Sequence, residues 1–338
     1  MPTALIMALA IAAAPLAAAA QGGAYTAPRN SHGQPDLSGA WTNATITPAL
    51  RPVELQGHRA HTPAEVAALE GATAERNEEG DQSTDPNAPA LQKGDPGGYN
   101  RGWLDPGTKV MRVAGEPRTS LITTPDGLPP ARVAGAPPAP SLPRPRPPGA
   151  PIPVTGGLDH PEQRPLGERC IISFGRNGGP PMLPNGFYNN NYQFIQTADH
   201  VAIMIEMVHD LRVIRLGAKH RTDGQRPWFG DSIGWWEGDA LVVETTNIPR
   251  AQAYFGVWEN LKVTERFRRV GEGRMHYQFT LEDPTIWAAP WGGEYEFAAL
   301  GGAIHEYACH EGNYALEGIL AGARAEERDK AQAATASR

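Results

Sequence analysis

Apolar and polar residues alternate with a period of two through most of the chain from about residue 162 onward. In the stretch Arg274 to Glu282, Met275, Tyr277, Phe279 and Leu281 fall on one side and Arg274, His276, Gln278, Thr280 and Glu282 on the other, as a strand with one buried face requires. The same pattern predicts strands over 170–174, 192–197, 201–207, 208–216, 232–236, 240–246, 262–270, 295–297 and 304–309. Ala198-Asp199-His200, Glu237-Gly238-Asp239 and Gly271-Glu272-Gly273 supply turns, glycine meeting the positive φ of a tight reversal. Such turns leave no room for the crossovers of a parallel sheet, so the fold is expected to be mainly β. Closure into an antiparallel up-and-down β-barrel removes exposed edges; a two-sheet β-sandwich is the alternative.

The periodicity is absent upstream. Thr62-Pro63-Ala64-Glu65 places Thr at an N-cap, Pro in the first turn and Glu three residues on, a capping box that predicts a helix over 62–76. Acidic, Gly- and Pro-rich sequence follows to Asp105, with Tyr99, Trp103 and Leu104 as the residues expected to pin it to a domain surface. Of the 25 residues in 129–153, 11 are proline, which predicts an extended polyproline linker rather than a packed element. At the other end, Leu316 to Lys330 is rich in Ala, Glu and Arg and predicts a helix outside the β-domain. Residues 4–20 are apolar and end in small residues, Ala18 and Ala20 standing in the A-x-A relation before Gln21, as in a secretory signal peptide. The organisation expected is a leader over 1–20, an irregular arm over 21–161 and a β-domain over 162–330, with a strand over 37–43 contributing to it.

Composition adds three constraints. The 38 Gly and 33 Pro of 338 residues agree with a chain rich in turns and linkers. A net charge of −7 provides no basic field for nucleic acid or an anionic membrane, and after removal of the leader no membrane insertion is expected. The protein is therefore expected in the periplasm or secreted. In that compartment its two cysteines, Cys170 and Cys309, are expected to pair, closing a loop worth roughly 4–5 kcal/mol in chain entropy.

The chain also carries long motifs in a fixed order: PDLSGAWTN, ERC, YNNNYQ, EMVHDLRVI, GDSIGWWEGDALVVETTN, ERF, FTLEDPTIW and EYACHEGNY. On these it resembles a family of exported bacterial proteins over residues 35–45 and 162–327, a resemblance that brings no reaction with it. The Gly39-Ala40-Trp41 opening resembles the first strand of lipocalin-like barrels, which implies that Trp41 plugs one barrel end.

Candidate chemistry falls in three stretches. In Glu206 to Arg215, His209 is an acid-base group with Glu206 or Asp210 to orient it, and Arg212 and Arg215 are suited to an anionic substrate group. Strand alternation sends His209 and Asp210 to opposite faces, so their convergence requires a bend; a hydrogen-bonded ionic cluster is the competing reading. Near the C-terminus, His305, Tyr307 and His310 form an opposing wall, with Tyr307 and His310 as further acid-base candidates and His305 as a substrate contact. Third, Trp228, Asp231, Ser232 and Trp235 combine flat apolar platforms with polar orientation, as a saccharide or aromatic ligand needs. No cofactor is expected, and a divalent metal on His305, His310 and His209 is the alternative. Walker A, Rossmann and G-x-S-x-G patterns are absent. These features together predict a cofactor-independent lyase, hydrolase or isomerase acting on a small organic molecule or saccharide, or else a lipocalin-like binding protein for an apolar or aromatic ligand.

Overall fold

A computed structural model describes residues 25–81, 104–139, 156–173 and 175–336. Residues 1–20, where a leader is expected, and Tyr99, Trp103, Phe174 and residues 140–153 of the proline tract lie outside the described residues.

Nine strands of the described residues close into a barrel. In chain order they are β1 (Gly39–Thr42), then, after the short hairpin β2 (Arg112–Val113) and β3 (Glu116–Pro117), β4 (Asn191–Gln196), β5 (His200–Ile205), β6 (Leu211–Leu216), β7 (Asp231–Glu237), β8 (Ala240–Thr246), β9 (Lys262–Gly271), β10 (Arg274–Glu282) and β11 (Trp291–Ala299). β1 sits between β4 and β11, pairing Trp41 with both Tyr192 and Ala299. The three predicted hairpins form as β4–β5, β7–β8 and β9–β10, and closure excludes the sandwich.

Three expectations need correction. The barrel is not antiparallel throughout: residues 217–230 run back along its outside, so β6 and β7 pair in parallel, through Arg215 with Ile233 and Leu216 with Gly234 alone. Residues 304–309 form no strand, because β1 already occupies the free edges of β4 and β11 and leaves no ladder to join. Residues 170–173 form no strand either; Cys170 N–H bonds to Gly167 O and Ile171 N–H to Leu166 O, which winds the segment into turns.

Inward-facing side chains fill the barrel. Tyr192, Phe194, Phe267, Tyr277, Phe279, Tyr295 and Phe297 are fully buried and pack edge-on or tilted. The loop before β4 enters from one rim: Met182 N–H donates to the Tyr277 hydroxyl at 2.9 Å, and the Tyr295 hydroxyl donates to Met182 O at 3.0 Å. Arg176 of the same loop stacks over Tyr254, and burial draws its guanidinium pKa down to about 10. Near the opposite end Trp41 is buried, donating Nε1–H to Leu37 O at 3.0 Å beneath the Arg269 guanidinium.

The N-terminal segment wraps the barrel with its own buried residues. β1 reaches only Ala298 and Ala299 of β11, and Leu121 to Thr123 cover the remaining edge through Glu294 N–H to Leu121 O and Thr123 N–H to Gly292 O. That approach needs glycine, since a Cβ on Gly293 would stand 2.5 Å from Leu121 O. Val110, Met111, Val113, Leu121 and Ile122 are all buried. Helix α1 (Pro63–Gly80) starts on its capping box, Thr62 N–H donating to Glu65 Oε2 at 2.7 Å, and runs four residues past the predicted end. Helix α2 (Tyr314–Ala336) is also longer than predicted and buries Ala323 alone.

Candidate functional site

The strands put the predicted site residues in three separate places. Arg212 points inward from β6 and is 1% exposed. Its guanidinium binds Glu265 of β9 with both terminal nitrogens, one at 3.0 Å, and also donates to Ser232 Oγ of β7 at 3.3 Å and Thr245 Oγ1 of β8 at 2.9 Å. The Tyr277 hydroxyl donates to the same carboxylate at 2.8 Å. Arg212 and Ser232 are therefore buried in a lock that ties β6 to β7, β8 and β9 across the short parallel pair.

Arg215 points outward across the same seam, its Nη2 2.7 Å from Asp231 Oδ1. Asp231 Oδ2 takes the Arg221 backbone N–H at 2.7 Å and lies 3.0 Å from His220 Nδ1, whose Nε2 is 3.1 Å from Glu244. Burial opposes the charge of Asp231, but these donors outweigh it and hold its pKa below the ordinary carboxylate range. Trp228 and Trp235 are on the outer surface, the latter donating to Glu237 at 2.8 Å. Arg215, Asp231, Trp228 and Trp235 thus form no common cleft with His209.

The third place is the rim where β5 passes into β6. Met207 to His209 form a 3-10 turn in which Val208 has φ 61° and His209 φ 45°. Left-handed geometry at a β-branched residue costs about 1–3 kcal/mol, and here it supplies the bend that strand alternation alone denied. The bend turns His209 to solvent and Glu206 inward, where Glu206 is 3% exposed. Asn191 Nδ2 donates to Glu206 Oε2 and the His305 backbone N–H to Glu206 Oε1, each at 2.8 Å.

That second bond anchors a strap. Leaving β11, the chain is tied by Leu300 N–H to Ala40 O, then by His305 to Glu206, then by the Cys170–Cys309 disulfide, and finally by Asn313 Nδ2 to Glu168 O at 2.8 Å. Between strap, α2 and rim lies a cleft of about 1110 Å³ lined by Asp105, Tyr188, Asn191, Glu206, His305 and Tyr307, among others. The Tyr188 and Tyr307 rings stack with centroids 6.2 Å apart. A smaller groove of about 500 Å³ shares Glu206, His305 and Glu306 with it and adds His209. His310 lines neither, being exposed on the turn before α2. Among the described residues no group of three or more His, Cys, Asp or Glu is placed to hold a metal ion.

Asp105 was not among the sequence candidates. It sits in turn-rich sequence 101 residues before Glu206, and only the fold joins them: Asp105 N–H bonds to Phe187 O, and Asn190 Nδ2 donates to Asp105 O at 2.8 Å. The Asp105 side chain opens onto the cleft, yet enclosure by the walls and, secondarily, the charge of Glu206 raise its pKa. Asp210 is also raised, to about 6, by burial that His209 partly offsets, but it does not line the cleft.

No protein-family model matches the chain, and no curated protein matches it. Among solved structures, a crystal structure of an asparagine-to-alanine mutant of the fluorescent protein UnaG is similar at 13% identity over 33% of this chain and 72% of its own, with a TM-score of 0.23. An overlap of that size carries no argument about the site, and the barrel assignment rests on the strand register given above.

Proposed function

We propose that the rim cleft is a small-molecule site at which the protein performs acid-base chemistry of the lyase, hydrolase or isomerase kind, with Asp105 as the proton-transferring group. The observation that carries this reading is the Asp105–Glu206 pair: two carboxyls in one cleft, one fixed by N–H donors and the other with its pKa raised by desolvation and by the charge of its neighbour. Paired carboxyls in unlike environments divide into acid and base roles. Glu206 positions and polarises, Asp105 meets the substrate, and Tyr188 with Tyr307 gives the substrate a flat wall. His305 belongs to the same wall, while His209 faces the adjoining groove.

The disulfide and the leader-like N-terminus support a periplasmic or secreted location, where disulfides persist. No helix of the described residues is long and apolar enough to cross a membrane. The binding-protein alternative changes its place but survives as a reading: the barrel interior is packed with aromatic side chains and the Met182 loop, so a ligand would occupy the same rim cleft.

The test is a panel of saccharides and aromatic esters and ethers incubated with the mature protein, with Asp105→Asn and Arg215→Ala beside it. Asp105→Asn should reduce any turnover found by at least about 10²-fold, and Arg215→Ala should leave it unchanged. Equal turnover in Asp105→Asn and the parent protein removes Asp105 from the reaction.

A further inference from the structure

The charge of the cleft and one buried acceptor in its wall narrow what it can hold. Asp105, Glu168, Glu206 and Glu306 line it, and among the described lining residues there is no lysine or arginine. Glu168 is already matched by Arg164, 2.7 Å away outside the cleft, and Glu206 by its two N–H donors. Asp105 and the exposed Glu306 keep carboxyl oxygens to which no described residue donates a hydrogen bond. Arg212, Arg215 and Arg266 pair with carboxylates away from the cleft, at the seam and on the outer strands.

The second observation is independent of charge. Asn191 is 8% exposed and faces outward from β4 into the cleft, and its Oδ1 is a buried acceptor with no donor. Its amide cannot turn to relieve this, because Nδ2 is held by Glu206 Oε2 at 2.8 Å and a flip would set oxygen against oxygen. A buried acceptor left unmatched is costly, and a ligand bringing an N–H donor removes that cost. The stacked Tyr188 and Tyr307 rings, with Leu316 and Ile319 of α2 opposite, offer the ring faces and apolar cover that an ammonium group on an aromatic or short alkyl body prefers.

We propose that the cleft selects a protonated amine carried on an aromatic or short alkyl body, its N–H donors directed to Asn191 Oδ1 and its charge balanced by the Asp105 and Glu306 carboxylates. This rests on the rim cleft being the small-molecule site. It also reverses the polarity that Arg212 and Arg215 suggested from the sequence, since neither reaches this cleft.

The experiment is an amide-resolved NMR titration of the mature full chain at neutral pH with three probes of nearly equal shape: benzylamine, benzyl alcohol and benzoate. Benzylamine should give saturable shifts at residues 188–191 and 302–307, weakened by added salt, with benzyl alcohol weaker and benzoate silent. Glu306→Gln, an exposed change that leaves the strap's anchors intact, should weaken benzylamine about three- to tenfold and leave benzyl alcohol unaltered. Benzyl alcohol or benzoate shifting these residues as strongly as benzylamine, or benzylamine leaving them unmoved, overturns the amine assignment. Saturable shifts at these residues from any of the three probes identify a small-molecule cleft, so the site itself stands or falls separately from the amine assignment.

Discussion

The seam of the barrel and the cleft at its rim are both built from charged side chains on apolar strands, yet they differ in how their charges are matched. At the seam, Arg212 is bound to Glu265, Ser232 and Thr245 on the inside, and Arg215 to Asp231 on the outside, so a strand pair with only two register positions is clamped from both faces. At the rim, carboxyls outnumber cations, Asp105 is raised rather than lowered, and Asn191 Oδ1 has no donor. Matched charge explains a fold and requires nothing further. Unmatched charge beside a cleft leaves something for a ligand to supply.

The largest effect expected of breaking the seam is from Arg212→Ala, which strands the buried Glu265 and should cost about 3–5 kcal/mol in denaturant unfolding with the disulfide intact. Adding Glu265→Gln should recover part of that loss, because the uncompensated charge is gone. Next is Cys170→Ala with Cys309→Ala, expected to cost about 2–5 kcal/mol and to free the strap from the turn at Cys170, abolishing cleft binding while the far-ultraviolet dichroism of the barrel persists.

Titration sharpens the contrast further. The raised pKa of Asp210, about 6, means that the folded state holds this proton where the unfolded chain has lost it, so stability from this group falls as pH rises from about 4 toward 6. Asp210→Asn should therefore gain on the order of 1 kcal/mol at neutral pH and nothing at pH 4, read from urea midpoints. Asp231 has the opposite sign: its stabilisation is present above about pH 4 and lost as pH falls through its lowered folded value. Arg215→Ala, a partly exposed member of the seam, should cost about 1 kcal/mol or less, and Trp235→Ala within about 0.5 kcal/mol with cleft binding unchanged.

Period-two alternation made the barrel wall legible: Arg274 to Glu282 lies as written, and the capping box of Thr62 to Glu65 marks its helix start to the residue. Alternation also put 304–309 into a strand, since it reads local pattern and has no information on which edge is already taken; β1 had taken it. Residue chemistry was a poorer guide. Arginine, aspartate and serine in Arg212, Arg215, Asp231 and Ser232 have the same composition in a lock as in a binding site, and only the partners across the strands distinguish them. Glu206, His305 and Tyr307 were recognisable as polar residues near strand ends, and they do line one cleft. Asp105 was invisible because the cleft it shares with Glu206 joins residues 101 positions apart, and it comes from a loop with no period of its own.

Carbon-detected NMR titration of the aspartate side chains reads both regions in one experiment. The account predicts that Asp105 titrates above the ordinary carboxylate range and moves down in Glu206→Gln, while Asp231 titrates below that range and does not respond to the same substitution. Asp105 and Asp231 titrating together at an ordinary value, with Glu206→Gln moving neither, would contradict it.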